Sequence, residues 1–173
     1  IAPDRVAGMR KTWGMGNDDF VILLPGRLTR WKGQGVLIAA LSRMKESGTL
    51  GNARAILAGD AQGRDEYEDE LRTQIESASL SDRVRIAGHV SDMPVAYAAA
   101  DVVVSASTDP EAFGRVAAEA SAMAKPVIAA DHGGARETVL MNVSGFLVPP
   151  GDSGAMAAAL EKIIATPPHG RVN

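Results

Sequence analysis

The stretch that decides the fold is residues 20–44, which read FVILLPGRLTRWKGQGVLIAALSRM. It opens with an uninterrupted apolar run at 20–25, which is typical of a strand buried on both faces of a sheet. A loop rich in glycine and cations follows, and the apolar residues after Gly35 then recur at the spacing of an amphipathic helix. The stretch therefore predicts one strand–loop–helix unit of an α/β fold.

The same unit recurs along the rest of the chain. Apolar runs of strand length lie at 20–25, 53–58, 84–87, 101–105, 126–129 and 145–148. Between them, helical spacing is clearest at 36–44, 71–78 and 156–163. Alternation with short connections predicts a Rossmann-like three-layer α/β/α sandwich, built around a mostly parallel sheet of about six strands, each buried on both faces.

Sequence patterning also suggests boundaries. Residues 1–19 show no clear periodicity and are interpreted as a linker, so we expect ordered structure to begin at Phe20. The domain then covers 20–165, and 166–173 form a C-terminal tail. Because the chain opens at Ile1, we interpret it as an excised domain.

Composition excludes several classes of function. A net charge of -3 gives no bulk attraction for nucleic acid, so we expect no such partner. The absence of cysteine excludes disulfides and thiolate metal sites and fits a cytoplasmic location. The apolar runs are too short to cross a bilayer. The acidic run at 65–70 is interpreted as a solvated helix start.

Two cations lie in the loop after the first strand. Arg27 and Lys32 follow Gly26 and precede a predicted helix, whose free amides also favour anions. An arginine fork and a lysine ammonium placed this way suit a diphosphate, and a solvated basic turn is the alternative. The spacing is not that of a P-loop.

A second loop, at 107–114, predicts another anion site. Pro110 marks a turn, and apolar residues from Phe113 onward follow helical spacing, so a helix should start there. Its amides at 113–116 should point to the strand ends where ligands bind, and Gly114 lets an anion approach the backbone. We expect Arg27 and Lys32 to face this turn.

Two glutamates flank that helix start. Glu111 precedes the helix, whereas Glu119 lies two turns into it, on the border of the apolar stripe. A carboxylate on such a border suits the vicinal hydroxyls of a ribose. The alternatives are an exposed helix glutamate at Glu119 and, at Glu111, a loop carboxylate that favours the helix N-terminus.

These motifs together resemble a known family. The matching motifs are the Gly26-Arg27 and Lys32-Gly33 pairs, Glu111 and Glu119 with seven residues between them around Phe113-Gly114, the run at 126–129 and the run at 133–139. They resemble, in this order, the C-terminal domain of retaining GT-B glycosyltransferases. The group 1, or family 4, enzymes resemble it most. The resemblance covers residues 20 to 165 and implies one half of a GT-B fold.

The resemblance also implies a role for each matching residue. Arg27 and Lys32 would grip the donor diphosphate, Glu111 would orient the hydroxyls of the transferred sugar, and Glu119 would bind ribose; the first three would be the catalytic residues. The remaining donor contacts would come from Gly26, from Ala112, Phe113, Gly114, Arg115 and Val116 beside sugar and phosphate, and from Gly59, His89 and Val90 beside the base. A histidine such as His89 is more often a bystander.

A nucleotide diphosphate sugar is therefore the expected donor substrate, and an N-terminal acceptor domain outside this chain is the expected partner. The sequence has no Asp-x-Asp motif, so we predict that donor binding needs no metal ion. The resemblance implies hexosyl transfer with retention, in which the leaving phosphate helps to deprotonate the acceptor. Without the acceptor domain we expect binding but no transfer. Polysaccharide, lipopolysaccharide and glycolipid synthesis at the cell envelope all stay open, as does peripheral membrane association through the acceptor domain.

Two other functions compete with this interpretation. A nucleotide-sugar 2-epimerase shares the architecture, but the segment between Glu111 and Glu119 argues against it. The other is a noncatalytic nucleotide-binding module. A module that had lost its activity would not be expected to keep the four polar site residues, which are Arg27, Lys32, Glu111 and Glu119. One position departs from the family pattern, because Ala124 stands where a helix-ending glycine is usual; if left-handed, it would cost about 1 kcal/mol.

Overall fold

Six parallel strands form one sheet in a computed structural model that describes residues 1–167. The strands are β1 (Phe20–Pro25), β2 (Ala53–Ala58), β3 (Val84–Gly88), β4 (Val102–Ser105), β5 (Val127–Ala130) and β6 (Gly145–Val148). Every predicted strand is confirmed, and each observed end lies within one residue of the predicted end. The tail predicted at 166–173 lies outside the described residues from 168 onward.

Helices alternate with these strands. They are α1 (Pro3–Thr12), α2 (Gln34–Glu46), α3 (Asp65–Ser77), α4 (Met93–Ala99), α5 (Arg115–Ala122), α6 (Ala135–Thr138) and α7 (Ser153–Ala165), with a short 3-10 turn at Arg30–Lys32. Local chemistry explains several starts. The side chains of Asp92 and Asp152 accept amide hydrogen bonds at the beginnings of α4 and α7, and α3 begins with the predicted acidic turn.

The sheet order is β3-β2-β1-β4-β5-β6, which confirms the Rossmann-like prediction. Residues alternate between two cores along β1: Ile22 packs with α2, α3 and α7, whereas Leu23 packs with α4 and α5 on the opposite face. Burial on both faces holds in full for β1 but not at the sheet edges. Several residues of β3 and β6 are partly exposed, because an edge strand has a neighbour on one side only.

Ordered structure begins before Phe20, contrary to the sequence expectation. Helix α1 covers Pro3–Thr12 and has no fully buried residue, although Val6 and Met9 are partly buried against the core. It is also held by Arg10, whose guanidinium donates to the Ala99 and Asp19 carbonyls at 3.0 and 2.7 Å, and by the buried ring of Trp13. Two partly buried apolar residues give a helical pattern too short for periodicity to detect.

Candidate functional site

The centre of the sheet positions the candidate site. Strands β1 and β4 are neighbours, and the chain leaves β1 for α2 on one face and β4 for α5 on the other. In an open parallel sheet, ligands bind at the carboxyl ends of the strands where the connections diverge in this way. The two loops chosen from the sequence, at 26–33 and 106–114, start at this point.

Backbone contacts join these two loops. The Thr108 amide donates to the Trp31 carbonyl at 2.8 Å. Gly33 is left-handed, with φ of 76°, and a Cβ there would collide with the Ala106 carbonyl oxygen. Only glycine meets both demands, so Gly33 allows the loop after β1 to lie directly against the loop after β4.

The side chain of Lys32, in the loop after β1, reaches the loop after β4; we call this contact between the two loops the junction. The Lys32 ammonium contacts the Glu111 carboxylate, and both side chains are about four-fifths buried, with exposed fractions of 18% and 20%. The ammonium also lies 4.4 Å from the centre of the Trp31 ring. The structure therefore brings together two of the three predicted catalytic residues, which are 79 positions apart in sequence.

Arg27 takes a different direction. Its side chain is exposed and donates to Gln62 Oε1 over 3.4 Å, so it leans toward the loop after β2. Its backbone is held more firmly. The fully buried Gln34 donates from Nε2 to the Arg27 carbonyl at 2.8 Å, and Tyr67 contacts Gln34 in turn. Sequence reasoning missed Gln34, although a polar residue on the buried side of α2 is a signal that it has a partner.

The loop before α5 is supported from behind by the loop after β5. The Gly134 amide donates to the Glu111 carbonyl at 2.9 Å, and a Cβ on Gly133 would collide with that same oxygen. His132 Nε2 lies 2.6 Å from the Ser107 carbonyl oxygen. Gly133 and Gly134 thus have a structural role, because they fix the backbone of Glu111.

Helix α5 begins at Arg115, two residues after the predicted start at Phe113, and Gly114 precedes it with φ of 56°. The first amides of a helix have no acceptor within the helix and point outward. Ala112, Phe113 and Arg115 are exposed around this end, with Phe113 exposed by 81%. Gly114 itself is buried and Val116 is partly buried, so anion binding at this turn stays a prediction.

Glu119 lies on the border of the helix, with 44% of its side chain exposed. Tyr97 of α4 donates its hydroxyl hydrogen bond to Glu119 Oε2 at 2.7 Å, and Arg115 lies 3.7 Å from the other oxygen. Burial and the adjacent carboxylate raise the pKa of Tyr97 well above its usual range, so its hydroxyl stays protonated. Sequence reasoning missed Tyr97, because its neighbours in the sequence are apolar and it resembles an ordinary core residue.

The residues predicted beside the base lie at the ends of β2 and β3. Gly59 forms a bridge with Gly88, and a Cβ on Gly59 would collide with the Gly26 carbonyl oxygen. His89 is exposed and, with Val90, lines a groove next to α1. Gly26 and Gly59 therefore meet, whereas the roles of His89 and Val90 stay predictions.

Among residues 1–167, no three His, Cys, Asp or Glu side chains are grouped so that they could hold a metal ion. Nor does any helix there have the length and apolar character needed to cross a membrane. Metal-independent donor binding remains a prediction.

Known proteins are similar to this chain in sequence and in fold. The family described as "Glycosyl transferases group 1" matches residues 8–171. A D-inositol 3-phosphate glycosyltransferase of Xylanimonas cellulosilytica is 38% identical over 159 residues, which are 91% of this chain and 37% of that protein. A GDP-mannose-dependent alpha-(1-6)-phosphatidylinositol monomannoside mannosyltransferase of Mycolicibacterium smegmatis is 32% identical, over 95% of this chain and 44% of the relative.

Solved structures agree. The crystal structure of Anabaena Alr3699/HepE in complex with UDP and glucose superposes with a TM-score of 0.87 and 40% identity, over 95% of this chain and 44% of that one. The C-terminal domain of LpcC from Francisella tularensis has a TM-score of 0.76 and 27% identity, with 98% and 86% covered. This chain thus spans less than half the length of the full-length relatives and most of an isolated C-terminal domain. It belongs to the group 1 family of glycosyltransferases.

Proposed function

We propose that this chain is the donor-binding domain of a retaining glycosyltransferase and that it holds a nucleoside diphosphate sugar at the junction of the β1 and β4 loops. The contact between Lys32 and Glu111 carries the proposal, because it places a cation and a carboxylate at the strand ends where such sheets bind ligands. UDP and UDP-glucose complexes of the Anabaena protein support this donor class.

Donor binding separates the Lys32 ammonium from the Glu111 carboxylate. The Lys32 ammonium moves to the diphosphate, which as a whole carries more negative charge than one carboxylate. Glu111 is then free to accept hydrogen bonds from the sugar hydroxyls. Arg27, whose side chain is exposed, swings from Gln62 to the same diphosphate.

Breakage of the sugar–phosphate bond leaves its electron pair on the diphosphate. The acceptor hydroxyl oxygen forms a bond to the anomeric carbon on the same face, and its proton passes to the departing phosphate oxygen. Lys32, Arg27 and the α5 amides stabilise the charge that grows on the diphosphate, and no metal ion is needed. The acceptor, a glycan, a lipopolysaccharide or a lipid, binds to an N-terminal domain outside this chain.

Calorimetric titration of the 173-residue chain with UDP, GDP and ADP, each with and without EDTA, tests donor binding. We expect one nucleotide to bind at least about tenfold more tightly than the others, a difference of about 1.4 kcal/mol, and to do so equally in chelator. Absence of binding to all three would contradict the proposal. Binding that disappears in EDTA would contradict its metal-independent form.

Mass spectrometry after incubation with the donor sugar tests the mechanism. We expect no sugar adduct, since Glu111 orients hydroxyls and the phosphate acts as the base. A covalent sugar on Glu111 would instead indicate the two-step route that retaining glycosidases use. Efficient transfer by this chain alone would contradict the separate acceptor domain.

A further inference from the structure

Tyr97 packs its ring into the core between α4, α5 and the sheet. Its hydroxyl is the only polar group of that side chain. Only 3% of the residue is exposed, and it packs among small residues such as Ala96, Ala117 and Ala120. The hydroxyl donates to Glu119 Oε2 at 2.7 Å. This bond joins α4 to α5 through two residues that are 22 positions apart in sequence. A rigid core side chain thus reaches a carboxylate at the surface.

Glu119 has little else to hold it. Its other carboxylate oxygen lies 3.7 Å from Arg115, whose side chain is 83% exposed and therefore free to move. A glutamate has three side-chain torsions, and fixing them costs entropy when a ligand binds. Tyr97 fixes them before the ligand arrives, since its own ring is held by packing.

We propose that Tyr97 is a positioning residue for the nucleotide ribose: it holds Glu119 so that the carboxylate accepts hydrogen bonds from both vicinal hydroxyls. This inference rests on the proposed donor site and extends it to selection of ribonucleotides. One lone pair of Oε2 is used by Tyr97, and Oε1 remains available to the sugar. Burial and the adjacent carboxylate raise the pKa of Tyr97, so its hydroxyl remains a hydrogen-bond donor to Glu119.

Nucleotides that lack one hydroxyl test the proposal. The 173-residue chain is titrated with UDP, GDP and ADP, and then with the 2′-deoxy and 3′-deoxy forms of whichever binds tightest. We expect Tyr97→Phe to weaken the ribonucleotide by about three- to tenfold and to leave the deoxy forms much less affected, so that the preference for ribose falls. Thermal unfolding of each variant establishes that folded proteins are compared.

A double-mutant cycle separates positioning from a general structural effect. In a Glu119→Ala background, Tyr97→Phe should cause no further loss of ribose preference, because the group that it positions is gone. Tyr67→Phe is the matched control. It removes another partly buried hydroxyl, which contacts Gln34 rather than Glu119, and should leave the ribose preference unchanged.

Each failure has a distinct meaning. If Tyr97→Phe keeps the full ribose preference, or weakens ribo and deoxy forms equally, the positioning role is wrong while the donor site stands. If the wild-type chain binds none of the three nucleotides, the donor site and the positioning role are both wrong. If the wild type binds a nucleotide without any preference for ribose, Glu119 does not read the sugar and the inference fails.

Discussion

Cations at the two ends of the sheet have different kinds of partner. At the amino ends of the strands, guanidinium groups donate to backbone carbonyls: Arg54 to Gly14 and Asp82, and Arg83 to Gly51 and Ala53. At the carboxyl ends, Lys32 contacts a carboxylate and Arg27 an amide side chain. Arg54 also contacts the Asp19 carboxylate at 3.2 Å, but its other contacts are to carbonyls, whereas Lys32 and Arg27 donate to side chains that can rotate away.

This difference separates structural cations from binding ones. A carbonyl in a loop is fixed by the fold, so its bond to an arginine is exchanged only if the loop rearranges. A side-chain partner rotates aside at small cost, and the freed cation can then bind a ligand. The kind of partner therefore indicates the role of a cation: backbone carbonyls indicate a structural role, and side chains that rotate aside indicate a ligand-binding role. Four substitutions test this contrast.

The largest effect is expected at the junction itself. Gly33→Ala forces a Cβ against the Ala106 carbonyl in a left-handed backbone, and should lower the free energy of unfolding by roughly 2–5 kcal/mol. Urea denaturation measures this. Gly48→Ala is the matched control, because Gly48 has nearly the same φ, 74°, and open space around its Cβ. It should cost only about 1–2 kcal/mol, and equal losses would show that the junction is not tightly packed.

Lys32→Ala comes next and acts on binding. It removes one charge-assisted hydrogen bond to the diphosphate, worth about 1.5–3 kcal/mol, so nucleotide affinity should fall about tenfold to a hundredfold. Titration calorimetry measures the change. Lys45→Ala is the control, because Lys45 lies in the last turn of α2, at the end far from Lys32, and donates to the Ser79 carbonyl. Unchanged affinity in Lys32→Ala would favour a noncatalytic module or a simple basic turn.

The fold was predictable from the sequence because buried parallel strands read as apolar runs, as at 20–25 and 53–58. Lys32 and Glu111 were predictable because each follows a strand in a loop rich in turn residues. That they meet depends on β1 lying next to β4, which follows from the usual strand order of this fold.

Other features left no signal in the sequence. Helix α1 places only Val6 and Met9 against the core, and neither is fully buried, so periodicity did not reveal it. The bond from Tyr97 to Glu119 joins two helices whose relative rotation depends on core packing, and spacing alone does not give it. The direction of the exposed Arg27 side chain likewise depends on Gln62, a loop residue with no pattern of its own.

Arg54→Ala tests the structural side of the contrast. Its guanidinium holds the loops before β1 and β3 together, so the free energy of unfolding should fall by about 1–2 kcal/mol while nucleotide affinity is unchanged. Denaturation and calorimetry on the same sample measure both. Arg72→Ala removes a mostly exposed cation 3.8 Å from Glu68 and should cost under about 0.5 kcal/mol. A loss of nucleotide affinity in Arg54→Ala would show that the amino-end cations also bind ligand.

The smallest effect is expected at Ala124, in the turn between α5 and the amino end of β5. Its φ of 55° confirms the left-handed conformation expected if this alanine replaced a helix-ending glycine. Ala124→Gly relieves about 1 kcal/mol of strain but gives the unfolded chain more freedom, at a cost of about 0.4–1 kcal/mol, so a net gain of up to about 0.6 kcal/mol is expected. Thermal unfolding should register a small rise in Tm. Nucleotide affinity should stay constant, because α5 presents its other end to the ligand; a changed affinity would mean that strain at the amino end reaches the binding loops through this helix.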